Sequence, residues 1–167
     1  MFPILFFIGP VGIRTAVVVV VVAVYAGAWV AARRMRRRGL PAALVHDFVA
    51  PALVAGLVGA SLVHALAFDP TWYLWRPAEL QAVWKGGFAE EGSFLGGLAA
   101  AIWFCRRRGV SFWTFSDALA PGVALAHAVA RVGALLGGSG YGTATKVPWA
   151  VTFSDPNAGA PLGIPLH

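Results

Sequence analysis

Charge is what this chain has least of. Aspartate, glutamate, lysine and arginine make up 12% of its 167 residues, about half the share typical of a soluble domain. Hydrophobic residues supply 59%, and the mean hydropathy is +0.73. Such a chain cannot clothe a folded surface in charge, which excludes an ordinary water-soluble globule and points to a polytopic membrane protein. Cysteine is nearly absent too. Cys105 stands alone, which excludes an internal disulfide; a small core residue is its default role, with acylation at the membrane surface as the other reading. Internal repeats and low-complexity linkers are lacking, so a single transmembrane domain is expected over 1–167. No pattern asks for a metal or any other cofactor. A haem held by His46, His64 and His127 is disfavoured, because His46 is expected at the opposite membrane face from the other two.

Positive charge is present but gathered. Eight of the thirteen basic residues fall in two runs, RRMRRR at 33–38 and RRR at 106–108. Arginine blocks can mark nucleic-acid contact. Here each directly follows an apolar segment, so the positive-inside rule accounts for them and no nucleic-acid partner is expected. Signal peptides place their positive charge before the apolar stretch. Only Arg14 precedes the first stretch here and five arginines follow it, so an uncleaved helix with its N-terminus outside is expected.

Four apolar segments carry the fold: about 15–32, 45–68, 88–105 and 116–136. The first, TAVVVVVVAVYAGAWVAA, is nearly pure valine and alanine, a strand composition in water. In lipid every backbone group must be satisfied within the segment, so helix is expected. The predicted class is therefore an all-α polytopic membrane protein of about four transmembrane helices. With 33–44 and 106–115 cytoplasmic, residues 1–14, 69–87 and 137–167 are external, and the alternation is self-consistent. The external loop 69–87 holds three of the seven tryptophans, as an interfacial belt would. Gly92, Gly96 and Gly97 permit close helix packing in the third segment. VPWAVTF at 147–153 reads as a short strand in the external C-terminal stretch.

The polar residues inside these segments are the candidates for function. Arg131 lies near the external end of the fourth segment, with His127 one turn earlier on the same face. GGSGYG at 137–142 follows at once. Snorkelling to water is one reading of Arg131. Anion binding is the other: glycines let backbone N–H groups approach a ligand, and a guanidinium presents a fork of donors matched to phosphate oxygens. At that depth the abundant anion is a membrane lipid phosphate. Asp117 and Asp47 read as helix-capping carboxylates, His64 as either a core or a cavity residue. Glu90 and Glu91 point to different faces, so at most one addresses a given site; a raised pKa would suit it to acid–base work, and a solvated helix start is the alternative.

The string SDALAPGVALAHAVARVGALLGGSGYGTATKVPWAVTF (116–153) resembles the signature region of the bacterial prolipoprotein diacylglyceryl transferase family. In that family a D-x-x-A-P motif opens a helix, G-R-x-G follows at its end, then a glycine turn ending in Y-G and a P-W-A-V-x-F segment. FPILFFIGPVGIR (2–14), WKGGFAEEGSFLGG (84–97) and APLGIPLH (160–167) resemble the family elsewhere. The resemblance implies transfer of a diacylglyceryl group from phosphatidylglycerol to the lipobox cysteine of a prolipoprotein, whose signal peptide is a partner, in the bacterial inner membrane. Arg131 falls on the family's essential arginine, Gly133, Gly138 and Gly142 on its glycines, Tyr141 on its tyrosine and Asp117 on its helix-opening aspartate. His127 would aid Arg131 in holding the phosphate, and Glu91 would assist the thiol. The departures are Ala16-Val17 for a tyrosine–glycine pair, Ser61 for an arginine, Glu91 for a histidine or tyrosine, Ala134 for an asparagine and Ser139 for an acidic residue or cysteine. The chain ends at His167, before the family's later helices, so a shortened and divergent member is expected, with a catalytically inactive lipid-binding or scaffold protein of the same fold as the alternative.

Overall fold

The computed structural model describes residues 4–8, 11–68, 70, 75 and 89–166. The tryptophan-rich loop expected at 69–87 lies outside the described residues except for positions 70 and 75, as do residues 84–88, 2–3, 9–10 and 167 of the quoted motifs.

Four helices dominate: α1 (Thr15–Arg37), α2 (Ala43–Phe68), α3 (Glu90–Arg108) and α4 (Phe112–Gly137). The valine run is helical, as the demand for internal hydrogen bonding requires. Three helices, α1, α2 and α4, are long and apolar enough to cross a membrane. The third expected segment is the weakest of the four by that measure. Its 19 residues rise about 28 Å, close to a hydrocarbon core of about 30 Å, but both ends are charged, with Glu90 and Glu91 at one and Arg106, Arg107 and Arg108 at the other. Large apolar side chains such as Val21, Leu57, Leu62 and Val123 stand exposed along the three spans. In water they would be an aggregation liability; facing acyl chains they cost nothing. The chain is thus an all-α polytopic membrane protein with minor β elements. Pro51 and Pro121 sit inside α2 and α4, which helices in lipid tolerate.

Two compact units divide the described structure. In the first, residues 1–30 and 121–167, the start of α1 lies antiparallel to the end of α4. Small residues set the approach. A Cβ on Gly27 would stand 2.6 Å from the Gly122 carbonyl oxygen, and one on Gly133 would stand 2.8 Å from Val19 Cβ. Two small sheets complete this unit. The hairpin β1 (Ile4–Ile8) and β2 (Val11–Arg14) precedes α1; its signal, two β-rich runs either side of Gly9-Pro10, is legible in the sequence. β3 (Val151–Thr152) pairs antiparallel with β4 (Pro165–Leu166), within the stretch expected to hold a short strand. Phe153, Ala160 and Leu166 form the small core beneath it.

In the second unit, residues 31–120, α2 lies antiparallel against α3. Gly59 faces Gly92 so closely that a Cβ on either would strike the other's carbonyl oxygen, and a Cβ on Gly96 would strike that of Ala55. This is small-residue packing, the means by which helices approach where no hydrophobic effect drives them together. Gly97, expected to share it, meets nothing within 4 Å and takes no part. Toward the arginine-bearing end, Phe48, Phe104 and Phe115 pack with ring centroids 5.2 to 5.6 Å apart, and Met35 and Cys105 of the same unit are buried.

The capping role expected for the two aspartates is corrected here. α4 begins at Phe112, so Asp117 lies beyond its first turn, where Arg38 Nη1 donates to its carboxylate at 3.0 Å. Asp47 likewise lies inside α2 and accepts from Arg108 Nη2 at 2.7 Å. The last arginine of each basic run therefore ties one helix end to another.

Candidate anion-binding site

α4 ends in a left-handed glycine. Gly138, at φ +72°, donates its N–H to Leu135 O, and Ser139 N–H reaches back to Ala134 O at 2.8 Å. This is a Schellman closure, which reverses the chain and satisfies carbonyls that the helix end leaves orphaned. The reversal carries Ser139, Gly140 and Tyr141 back alongside the last turns of the helix. Gly138 is buried, and Gly159 donates its N–H to Gly137 O at 3.3 Å, so the turn is also where the C-terminal segment docks.

Between these parts lies a cavity of about 310 Å³. One wall is the helix face of Arg131, Ala134 and Leu135, spaced three and four residues apart and so on one side of α4. A second is the turn Ser139–Gly140–Tyr141, and the third comes from Trp149, Val151, Phe153 and Leu166. The cavity is therefore cationic and polar on one side and aromatic and aliphatic on the other. The Arg131 guanidinium borders concave space and approaches the turn closely: a Cβ on Gly140, at φ +68°, would lie 3.7 Å from its Nη1.

His127 stands one turn before Arg131 and outside the cavity lining. Its Nε2 accepts a hydrogen bond from Arg131 Nε at 3.3 Å. In this geometry the imidazole orients the guanidinium through its inner nitrogen, leaving the fork of Nη groups directed by the turn and cavity. Gly133 is buried against Val19 of α1, and Gly138 against Ala158 and Phe153. Neither these two nor Gly142, which is exposed, lines the cavity. Tyr141 does, and so do two of the positions at which the chain departs from the family pattern, Ala134 and Ser139. The Ser139 hydroxyl donates to Ala134 O at 3.4 Å, so a short, uncharged side chain occupies that edge. Glu90 and Glu91 are exposed in the first turn of α3, in the second unit, where carboxylates complement the helix dipole. Asp117 belongs to that second unit as well, held by Arg38.

The apolar wall is what reading the sequence for polar candidates misses. Trp149, Val151 and Phe153 lie in the P-W-A-V-x-F-like segment, but nothing local marks Leu166 as a neighbour of Arg131.

The family model described as prolipoprotein diacylglyceryl transferase matches residues 3–167. Among curated relatives, proteins named phosphatidylglycerol–prolipoprotein diacylglyceryl transferase include one from Synechococcus elongatus, 38% identical over 88% of this chain and 50% of its own length. Another, from Leifsonia xyli subsp. xyli, is 32% identical over 93% of this chain and 49% of its own. A third, from Solidesulfovibrio magneticus, is 34% identical over 99% and 62%. The chain spans about half the length of the curated relatives it matches.

Proposed function

Because this chain belongs to the prolipoprotein diacylglyceryl transferase family, we propose that it takes part in moving a diacylglyceryl group from phosphatidylglycerol to the lipobox cysteine thiol of a prolipoprotein, the signal peptide being the second partner. It does so from the bacterial inner membrane with its N-terminus outside, the orientation that the arginine runs favour.

One observation carries this reading: Arg131 borders a cavity with the glycine turn on one side and an apolar wall on the other. A phospholipid headgroup has the same polarity, a phosphodiester next to acyl-bearing glycerol. In the proposed step the thiol loses its proton, and sulfur attacks the diacylglyceryl carbon that carries the phosphate ester. The C–S bond forms as the C–O bond breaks, and the electron pair leaves on glycerol phosphate. Negative charge thus gathers on phosphate oxygens, where a preoriented guanidinium does most good. His127 supports that role through its bond to Arg131 Nε, and the Gly138 closure supports it by holding Ser139–Tyr141 against the helix. Gly133 contributes by letting α1 and α4 approach at that depth. Glu91 is the proposed acceptor of the thiol proton.

The test is complementation in cells depleted of their own transferase, read as lipid modification of a reporter precursor. Arg131→Ala abolishes modification, Arg131→Lys keeps charge but loses the fork and recovers little, and Glu91→Gln slows modification without weakening phosphatidylglycerol binding. Full modification by Arg131→Ala dismisses the assignment. Purified chain that binds phosphatidylglycerol yet never transfers from it selects the lipid-binding alternative.

A further inference from the structure

The second unit holds a charged surface for which the Arg131 chemistry has no use. Within it four helix ends are joined in a closed circuit. Short links connect α1 to α2 and α3 to α4, and the pairs Arg38–Asp117 and Arg108–Asp47 connect α1 to α4 and α3 to α2. The circuit gathers eight arginines against two aspartates, a surplus of six that equals the formal net charge of the whole chain. Each aspartate is engaged by one arginine. Arg107 lies over the Trp103 ring at 5.6 Å. Arg34, Arg36, Arg37 and Arg106 are exposed and form no ion pair among the described residues.

Four guanidinium groups gathered at one end of the unit without carboxylates repel one another, and an external anion relieves that repulsion. Depth identifies that anion. Trp103 and Trp113 flank the circuit and are 53% and 77% exposed, as tryptophans are at the headgroup level of a bilayer. Arg106 and Arg107 follow Trp103 by one turn, which puts them level with lipid phosphates. The phenylalanine cluster packs the helix ends that carry the arginines against one another.

We infer that this arginine circuit is a binding site for the phosphates of anionic phospholipids, separate from the Arg131 cavity and independent of the function proposed for it. Basic clusters beside a membrane gain about fivefold in affinity per residue from anionic lipid. The four uncommitted arginines together account for a change on the order of a hundredfold or more.

The experiment uses the full chain purified in detergent and offered defined mixtures of phosphatidylglycerol and phosphatidylcholine, with retained lipid counted by native mass spectrometry. The parent chain keeps phosphatidylglycerol in preference to phosphatidylcholine, and retention falls as ionic strength rises. In an Arg131→Ala background, which takes any lipid held at the cavity out of the count, replacing Arg34, Arg36, Arg37 and Arg106 by Gln removes the phosphatidylglycerol that remains. Replacement of the same four by Lys, which keeps the charge, restores most of the retention and separates lipid loss from misfolding. Inorganic phosphate at millimolar concentration fails to displace the lipid; displacement would mean that the site reads free phosphate and would overturn the lipid assignment. Equal retention by parent and Gln variant, or no preference for the anionic lipid in the parent, would overturn it too.

Discussion

Replacing Gly138 by alanine tests the site through its backbone. At φ +72° the position is left-handed, which costs an L-residue roughly 1–2 kcal/mol. The new methyl would also stand 2.9 Å from Ala158 Cβ, 3.2 Å from Gly159 N and 3.3 Å from Phe153 Cδ1. Overpacking of that kind costs about a further 1–3 kcal/mol. Nothing can give way cheaply, since backbone and a core phenylalanine are the neighbours, so the C-terminal segment must lift from the helix end. Gly140→Ala is the internal control. Its φ is +68°, but the nearest atom is the tip of Arg131 at 3.7 Å, an ordinary contact. Only the backbone cost of roughly 1–2 kcal/mol applies there. Limited trypsinolysis reads the difference, because Lys146 is the single tryptic site between Arg131 and the C-terminal residue. Thr145 N–H is bonded to Pro165 O at 2.9 Å, so cleavage needs the segment to open, and its rate follows the open population. At about 1.4 kcal/mol per tenfold, Gly138→Ala is expected to speed cleavage on the order of a hundredfold or more and Gly140→Ala roughly tenfold. Equal rates for the two variants would refute the claim that Gly138 is a docking contact as well as a turn.

Two further outcomes follow from the second unit. Gly92→Ala is expected to lower the thermal midpoint in detergent sharply, because its methyl meets the Gly59 backbone, while Gly97→Ala, which meets nothing within 4 Å, leaves the midpoint unchanged or slightly raised; circular dichroism melts of the pair check this, and equal losses would show that α2 and α3 do not pack through Gly92. Asp117→Asn is expected to cost less than about 1 kcal/mol, because the Arg38–Asp117 side chains are 41% and 65% exposed and solvent screens the pair. A double-mutant cycle with Arg38→Gln measures it, and a coupling energy several times larger would show that the pair is held in a drier setting.

Much of this protein is written in local sequence. Helix in place of strand for the valine run follows from the solvent alone, since lipid offers no partner to an unpaired backbone group. Arginine runs after apolar segments locate the helix ends, and Arg131 followed by GGSGYG marks where a guanidinium meets a reversing backbone. These are properties of neighbours along the chain. The jobs of individual residues depend on distant ones. Asp117 and Asp47 read as caps because capping is the local use of a carboxylate, yet each is taken by an arginine 79 and 61 residues away. Gly92, Gly96 and Gly97 look alike in sequence, and only helix pairing decides that the first two are contacts and the third is not. Gly133 and Gly140 likewise divide between packing against α1 and bordering Arg131. The far wall of the cavity comes from Trp149, Val151, Phe153 and Leu166, brought to the helix end with a sheet of two two-residue strands. In a membrane, hydrophobicity holds helices in the bilayer but does not choose which faces meet; that choice falls to backbone approach at small residues and to a few charge pairs, and it exists only once the chain is folded.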